Sequence, residues 1–137
     1  MPSLVFSTFP MQTRVLLSFK PEFAEKIFSG SKRFEFRRVI FRSTLVTKVV
    51  VYASSPIQRV IGEFEIDDIL SLQKGQLWHR TKRYSGIQKA FFDQYFRGRT
   101  KGFAIKIKSP YRYSTPVRLE HMCETSRPPQ SFMYLAD

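Results

Sequence analysis

A chain of 137 residues is the size of one ordinary domain, with room for its own core and too little for two. Hydrophobic residues make up 42%, with 14 phenylalanines, which excludes disorder as the default, and no apolar run approaches a membrane-spanning length. The 23 Lys and Arg against 11 Asp and Glu leave a charge of +12, pointing to a polyanionic partner, most often nucleic acid, because phosphate contacts release condensed counterions.

In chain order, MPSLVFSTFPM has no basic segment ahead of its short apolar stretch, so residues 1–11 read as a flexible leader and residues 12–137 as a single domain. Arg14 to Phe19 (RVLLSF) is a buried strand. Lys20-Pro21-Glu22 opens a helix, since proline is tolerated at the first helical position and glutamate suits the positive end of the helix dipole. Phe23 with Ile27 and Ala24 with Phe28 form i,i+4 pairs on that helix, and Gly30 is placed for a left-handed C-cap. In the next strand, KRFEFRR, Phe34 and Phe36 point one way while Arg33, Glu35 and Arg37 point the other. Leu45 to Tyr52 is an interior strand rich in β-branched residues, broken by Ser54-Ser55-Pro56. Val60 to Ile66 alternates cleanly, and Asp67-Asp68-Ile69-Leu70 reads as one helical turn. Leu77 to Tyr84 fits no single pattern. Ser85 and Gln88 have capping-box spacing and predict a helix carrying Ile87, Ala90, Phe91 and Tyr95 on one face, ending near Gly98. Phe103 to Lys108 alternates again, Val117 to Leu119 makes a last strand, and Phe132 to Leu135 packs the tail back. Five or six strands with two to three helices predict an α+β fold built on a small curved sheet or barrel.

Charge is segregated along the chain: Gln73 to Lys108 holds ten basic residues and one acid, whereas Ile57 to Leu72 holds four acids and one base. The single cysteine, Cys123, allows no internal disulfide and suggests a reducing, cytoplasmic setting. His79 and His121 are the only histidines and lack metal-ligand spacing, so no metal is expected. Phosphate-binding glycine loops are absent, and no cofactor is expected. Tyr111-Arg112-Tyr113 and Arg83-Tyr84 interleave bases with rings, as single-strand binders do. Trp78 serves equally as a stacking residue or a core plug. Lys32, Glu35 and Arg37 make a trio suited to a polar ring edge, Glu35 accepting from an amine while the cations donate. A lysine crowded by Arg33 and Arg37 would also have a lowered pKa and could act as nucleophile or base, with Glu35 assisting proton transfer. The same trio also fits a surface ion network contributing about 0.5 kcal/mol, and the residues alone leave both readings open.

Gly30-Ser-Lys32-Arg-Phe-Glu35-Phe-Arg37 resembles the G-x-K-x-x-E-x-R motif of the ASCH domain family, within the PUA-like superfamily. LLSFKPEFAEKIFSG is similar to the strand and helix that lead into that motif, KVVVYASSPIQRVIGEFEI to the strands after it, and GFAIKI to a closing strand. The resemblance implies a small PUA-like β-barrel flanked by helices, with a cleft between the motif and the loop after Tyr52. It implies RNA or another single-stranded nucleic acid as partner, or a modified nucleoside, in transcriptional or translational regulation. Lys32, Glu35 and Arg37, with Arg38, would form the cleft, with Tyr52, Ser54 and Ser55 on its rim. Arg97, Arg99 and Lys101 would track phosphates. The alternative it carries is a hydrolase, an amidohydrolase on modified nucleosides or a ribonuclease, with Lys32 and Glu35 as the catalytic candidates. The amidohydrolase pattern has threonine at the position of Glu35, and this chain departs from it there.

Overall fold

β-branched and aromatic runs become strands and amphipathic runs become helices in the computed structural model, which describes residues 12–125 and 127–136. The strands are β1 (Arg14–Phe19), β2 (Phe34–Arg37), β3 (Lys48–Ala53), β4 (Arg59–Gln73), β5 (Lys101–Val117) and β6 (Met133–Leu135). The helices are α1 (Pro21–Ser29), α2 (Lys74–Thr81) and α3 (Lys89–Tyr95), with 3₁₀ turns at Lys82–Tyr84 and Leu119–His121. One mixed sheet runs β2-β5-β4-β3-β1-β6, parallel only between β1 and β3. The predicted leader lies outside the described residues. No helix among the described residues is long and apolar enough to cross a membrane.

Period-two alternation buries both faces of the central strands. Val15, Leu17, Val49 and Val51 join Ala24 and Ile27 of α1 in one core, while Leu16, Val50 and Tyr52 point the other way, against Leu119 and Leu135. A third cluster packs Leu77 of α2 and Phe92 and Phe96 of α3 onto Phe34, Phe36 and Ala104. The tail does pack back: β6 pairs antiparallel with β1 and buries Leu135.

The expected barrel does not close. β2 and β6 are free edges, and no ladder joins them among the described residues. β2 offers only four residues, too short an edge to complete a ring of strands. Register shifts along β4 curl the sheet, and the curl brings its two ends together, where a side chain spans the gap. Arg37 Nη2 donates to the Ser18 carbonyl oxygen at 2.9 Å, and Nη1 donates to that of Ser131 at 3.4 Å.

Three local expectations are corrected. Asp67-Asp68 is no helical turn but part of β4, where a register shift between Ile66 and Asp68 accommodates two adjacent exposed carboxylates. Ser85 caps no helix. Gly86 has φ +69°, which breaks the helical path, Ser85 Oγ bonds to the Ile87 backbone, and α3 begins only at Lys89. Val117 ends the 17-residue β5 instead of starting a strand, and Leu119 belongs to a 3₁₀ turn.

Candidate functional site

Gly30, at φ +87°, closes α1 and turns the chain sharply into β2. The turn sends the Lys32 side chain inward, leaving it 1% exposed. Its Nζ donates to the Ser85 carbonyl oxygen at 2.7 Å and lies 5.0 Å from the Phe36 ring centroid and 5.5 Å from that of Phe23. Burial pushes the Lys32 pKa below the ordinary lysine value, Glu35 partly opposes the shift, and Lys26 and Arg37 add to it. The stem of Lys32 is covered by Gly86, where a Cβ would fall 2.6 Å from that of Lys32.

Glu35 is 8% exposed, yet its carboxylate has no hydrogen bond and no ion pair among the described residues. Arg37 is engaged at its two terminal nitrogens, lies over Phe19 at 5.3 Å, and keeps a buried Nε without a partner. All three motif side chains line one cavity of about 260 Å³. Its remaining walls are Ser18 and Phe19 at the end of β1, Lys20 and Phe23 at the start of α1, Phe36 of β2, and Ile87, Phe91 and Tyr95 from α3 and the turn before it. The cavity therefore offers a negative acceptor, three cations and aromatic surfaces side by side, a set suited to a flat, polar-edged ring.

A trough of about 410 Å³ adjoins the cavity through Arg37 and Tyr95, and adds Arg38 and Arg99. Arg38 stacks on Tyr95 at 4.8 Å, and its backbone N–H donates to the Tyr95 hydroxyl at 3.3 Å. The expected rim residues lie elsewhere. Tyr52 is 4% exposed and belongs to the second core, while Ser54 and Ser55 sit in the turn after β3 and line no part of the cavity. Arg97 and Lys101 are exposed and line neither cavity nor trough. The wall attributed to the loop after Tyr52 is supplied instead by α3, because the sheet's curl turns the motif towards that helix. Ile87, Phe91 and Tyr95 share a predicted helical face; that face borders a hollow, and the tighter packing falls to Phe92 and Phe96.

The other aromatic candidates line neither the cavity nor the trough. Trp78 is half-buried against Phe92 at 5.0 Å, in the third core. Arg112 is tied to Glu25 at 2.6 Å and lies over Phe28, although Tyr111 beside it is 57% exposed. Among the described residues no three His, Cys, Asp or Glu side chains converge as metal ligands would.

No family model matches the chain. It is 32% identical over 131 residues to an ASCH domain-containing ribonuclease of Zymomonas mobilis, covering 92% of this chain and 86% of that protein. The crystal structure of ASCH from Zymomonas mobilis superposes with a TM-score of 0.83 at 30% identity, over 90% of this chain and 87% of that one. A point variant of the Zymomonas mobilis protein gives a TM-score of 0.85 at 29% identity, over 93% and 91%.

Proposed function

The chain belongs to the ASCH domain family, and from that premise we propose that it binds single-stranded RNA, taking one base into the cavity and resting the adjoining phosphates on Arg37, Arg38 and Arg99. The observation that carries this reading is Glu35, a residue only 8% exposed whose carboxylate lines the aromatic-walled cavity with no hydrogen-bond partner among the described residues. A carboxylate that no protein group occupies is open to accept the amine or imino N–H groups of a base edge entering the cavity. Phe23, Phe36 and Phe91 supply surfaces for the faces of the ring. Lys32, which lines the same cavity, supplies a cation beside that edge. RNA is chosen over DNA because a relative at 32% identity is named a ribonuclease.

A second reading has its own support. The same relative, together with the lowered pKa of Lys32, favours a ribonuclease that works through this cavity. A lysine whose pKa is lowered by burial is a better base than an ordinary lysine for the proton of a ribose 2′-hydroxyl, with Glu35 placed nearby for proton transfer.

One experiment addresses both. Fluorescence anisotropy with labelled single-stranded RNAs of differing base would compare wild type, Lys32→Ala and Glu35→Gln across a salt series, with gel analysis of the same samples for cleavage. Glu35→Gln is expected to flatten base preference by roughly tenfold, the worth of one charge-assisted contact. Equal weakening for every base would end the base-reading role. Cleavage by wild type that vanishes in Lys32→Ala would promote the ribonuclease reading over simple binding.

A further inference from the structure

The cavity uses one side of the Lys32–Arg33 junction, and the other side is also built for anions. Arg33, Arg80, Arg83 and Lys106 line a groove of about 560 Å³ together with Tyr84 and Phe34, and none of these residues lines the cavity. The groove is held by the same clamp. Lys32 Nζ grips the Ser85 carbonyl oxygen from the cavity side, while the Arg33 backbone N–H donates to the Tyr84 carbonyl oxygen at 2.8 Å.

Tyr84 then serves as a rest for guanidinium groups. Arg33 lies 4.1 Å from its ring centroid and Arg83 lies 5.5 Å from it. A stacked guanidinium uses its face for the ring and keeps the N–H donors of its edge free, in a fork that matches a phosphate. Arg33 spends one donor, Nε, on the Gly30 carbonyl oxygen at 3.4 Å. Beyond that, Arg33, Arg80 and Arg83 have neither an acceptor nor a carboxylate partner among the described residues. Lys106, at the groove's margin, is paired with Asp67 at 3.4 Å. Two guanidinium groups on one ring and a third, that of Arg80, lining the same groove have no counter-charge of their own and repel one another, and an arriving anion removes that repulsion.

We propose that this groove is a second phosphate contact for single-stranded RNA, so that the ligand is a strand of several nucleotides and not a free nucleoside or mononucleotide. The proposal rests on the RNA reading above and adds the length of the ligand. A cavity for one base needs no cations on the far side of its motif, whereas a strand that continues past the clamp does.

The test measures binding of a mononucleotide and of a labelled oligoribonucleotide of about 12 nucleotides, a length within common single-strand footprints. Wild type is compared with Arg80→Glu/Arg83→Glu, with the milder Arg80→Gln/Arg83→Gln, and with Glu35→Gln. Both arginines are exposed, and circular dichroism checks that the variants fold. The groove variants are expected to weaken oligonucleotide binding by roughly tenfold or more and to reduce the slope of log K against log salt by about 1.4, the value for two lost phosphate contacts on a single strand. Mononucleotide affinity should stay at the wild-type level. An unchanged salt slope in both groove variants, with Glu35→Gln still altering base preference, overturns the groove and leaves the base-reading cavity standing. Loss of slope in the groove variants with Glu35→Gln inert upholds the groove and removes the cavity reading. Groove variants that bind the oligonucleotide as tightly as wild type also overturn it.

Discussion

Lys32 carries a titration that separates its burial from its role. Desolvation lowers its folded pKa below the unfolded value, so over that window the unfolded chain binds more protons than the folded one. Its contribution therefore opposes folding below the folded pKa and fades as pH rises towards the ordinary lysine value. In Lys32→Met this term is gone. Thermal denaturation of wild type and variant between neutral and alkaline pH should show the wild-type Tm gaining on that of Lys32→Met as pH rises; parallel curves would mean that the ammonium is not desolvated. The sequence made the motif legible at this scale but not its environment. Glu35 alternates with Phe34 and Phe36 and so falls on the polar face with Arg33 and Arg37. Its burial comes from the end of β1, α1 and α3, none of which strand periodicity can see. Tyr52 illustrates the opposite limit, since a residue carried over to a cleft rim by resemblance alone sits in a core.

Among the elements, α3 decides whether the cavity exists, and Gly86 decides where α3 begins. The spacing of Ser85 and Gln88 reads as a helix start, and only the positive φ of Gly86 overrides it. That residue is doubly constrained, by a left-handed backbone and by the stem of Lys32 against its α-carbon. Gly86→Ala is expected to destabilise the protein by about 2 kcal/mol or more, since the left-handed conformation alone costs an L-residue roughly 1–2 kcal/mol and the contact adds to it. A denaturant titration reads this as a lower midpoint at constant slope. Ligand affinity measured on the still-folded variant should also fall, because Ile87, Phe91 and Tyr95 would be lifted from Lys32 and Glu35. A variant as stable as wild type would show that the turn relaxes without disturbing the helix. Strands β1 and β2 and helix α1 were readable because each is continuous and bounded by Pro21 or Gly30. The bulge at Asp67-Asp68 was not, since a register shift depends on the partner strand β5.

At the scale of the molecule, the sheet curls far enough to suggest a barrel, but its two edges meet through side chains, Arg37 and Tyr134 among them. Arg37 reaches from the end of β2 to Ser18 at the end of β1 and to Ser131 before β6, joining the edges that the strand order leaves apart. A strand count read from hydrophobic runs cannot distinguish these closures, because closure depends on register and on how far each edge extends. If Arg37 is the latch, Arg37→Ala should destabilise by about 1–3 kcal/mol, the worth of two hydrogen bonds from a charged donor. The loss should also be uneven. Hydrogen exchange should accelerate in β2, in β6 and around Ser131, while Val49 to Val51 and the β4 residues paired with them keep wild-type protection, being interior to the ladder on both sides. Arg37→Lys should fall between the two, since an ammonium keeps the charge but lacks the fork that spans both carbonyls. Uniform acceleration across all six strands would assign Arg37 to global stability alone. Unchanged exchange at the two edges would mean that the curl persists without it, leaving its guanidinium free to serve the cavity.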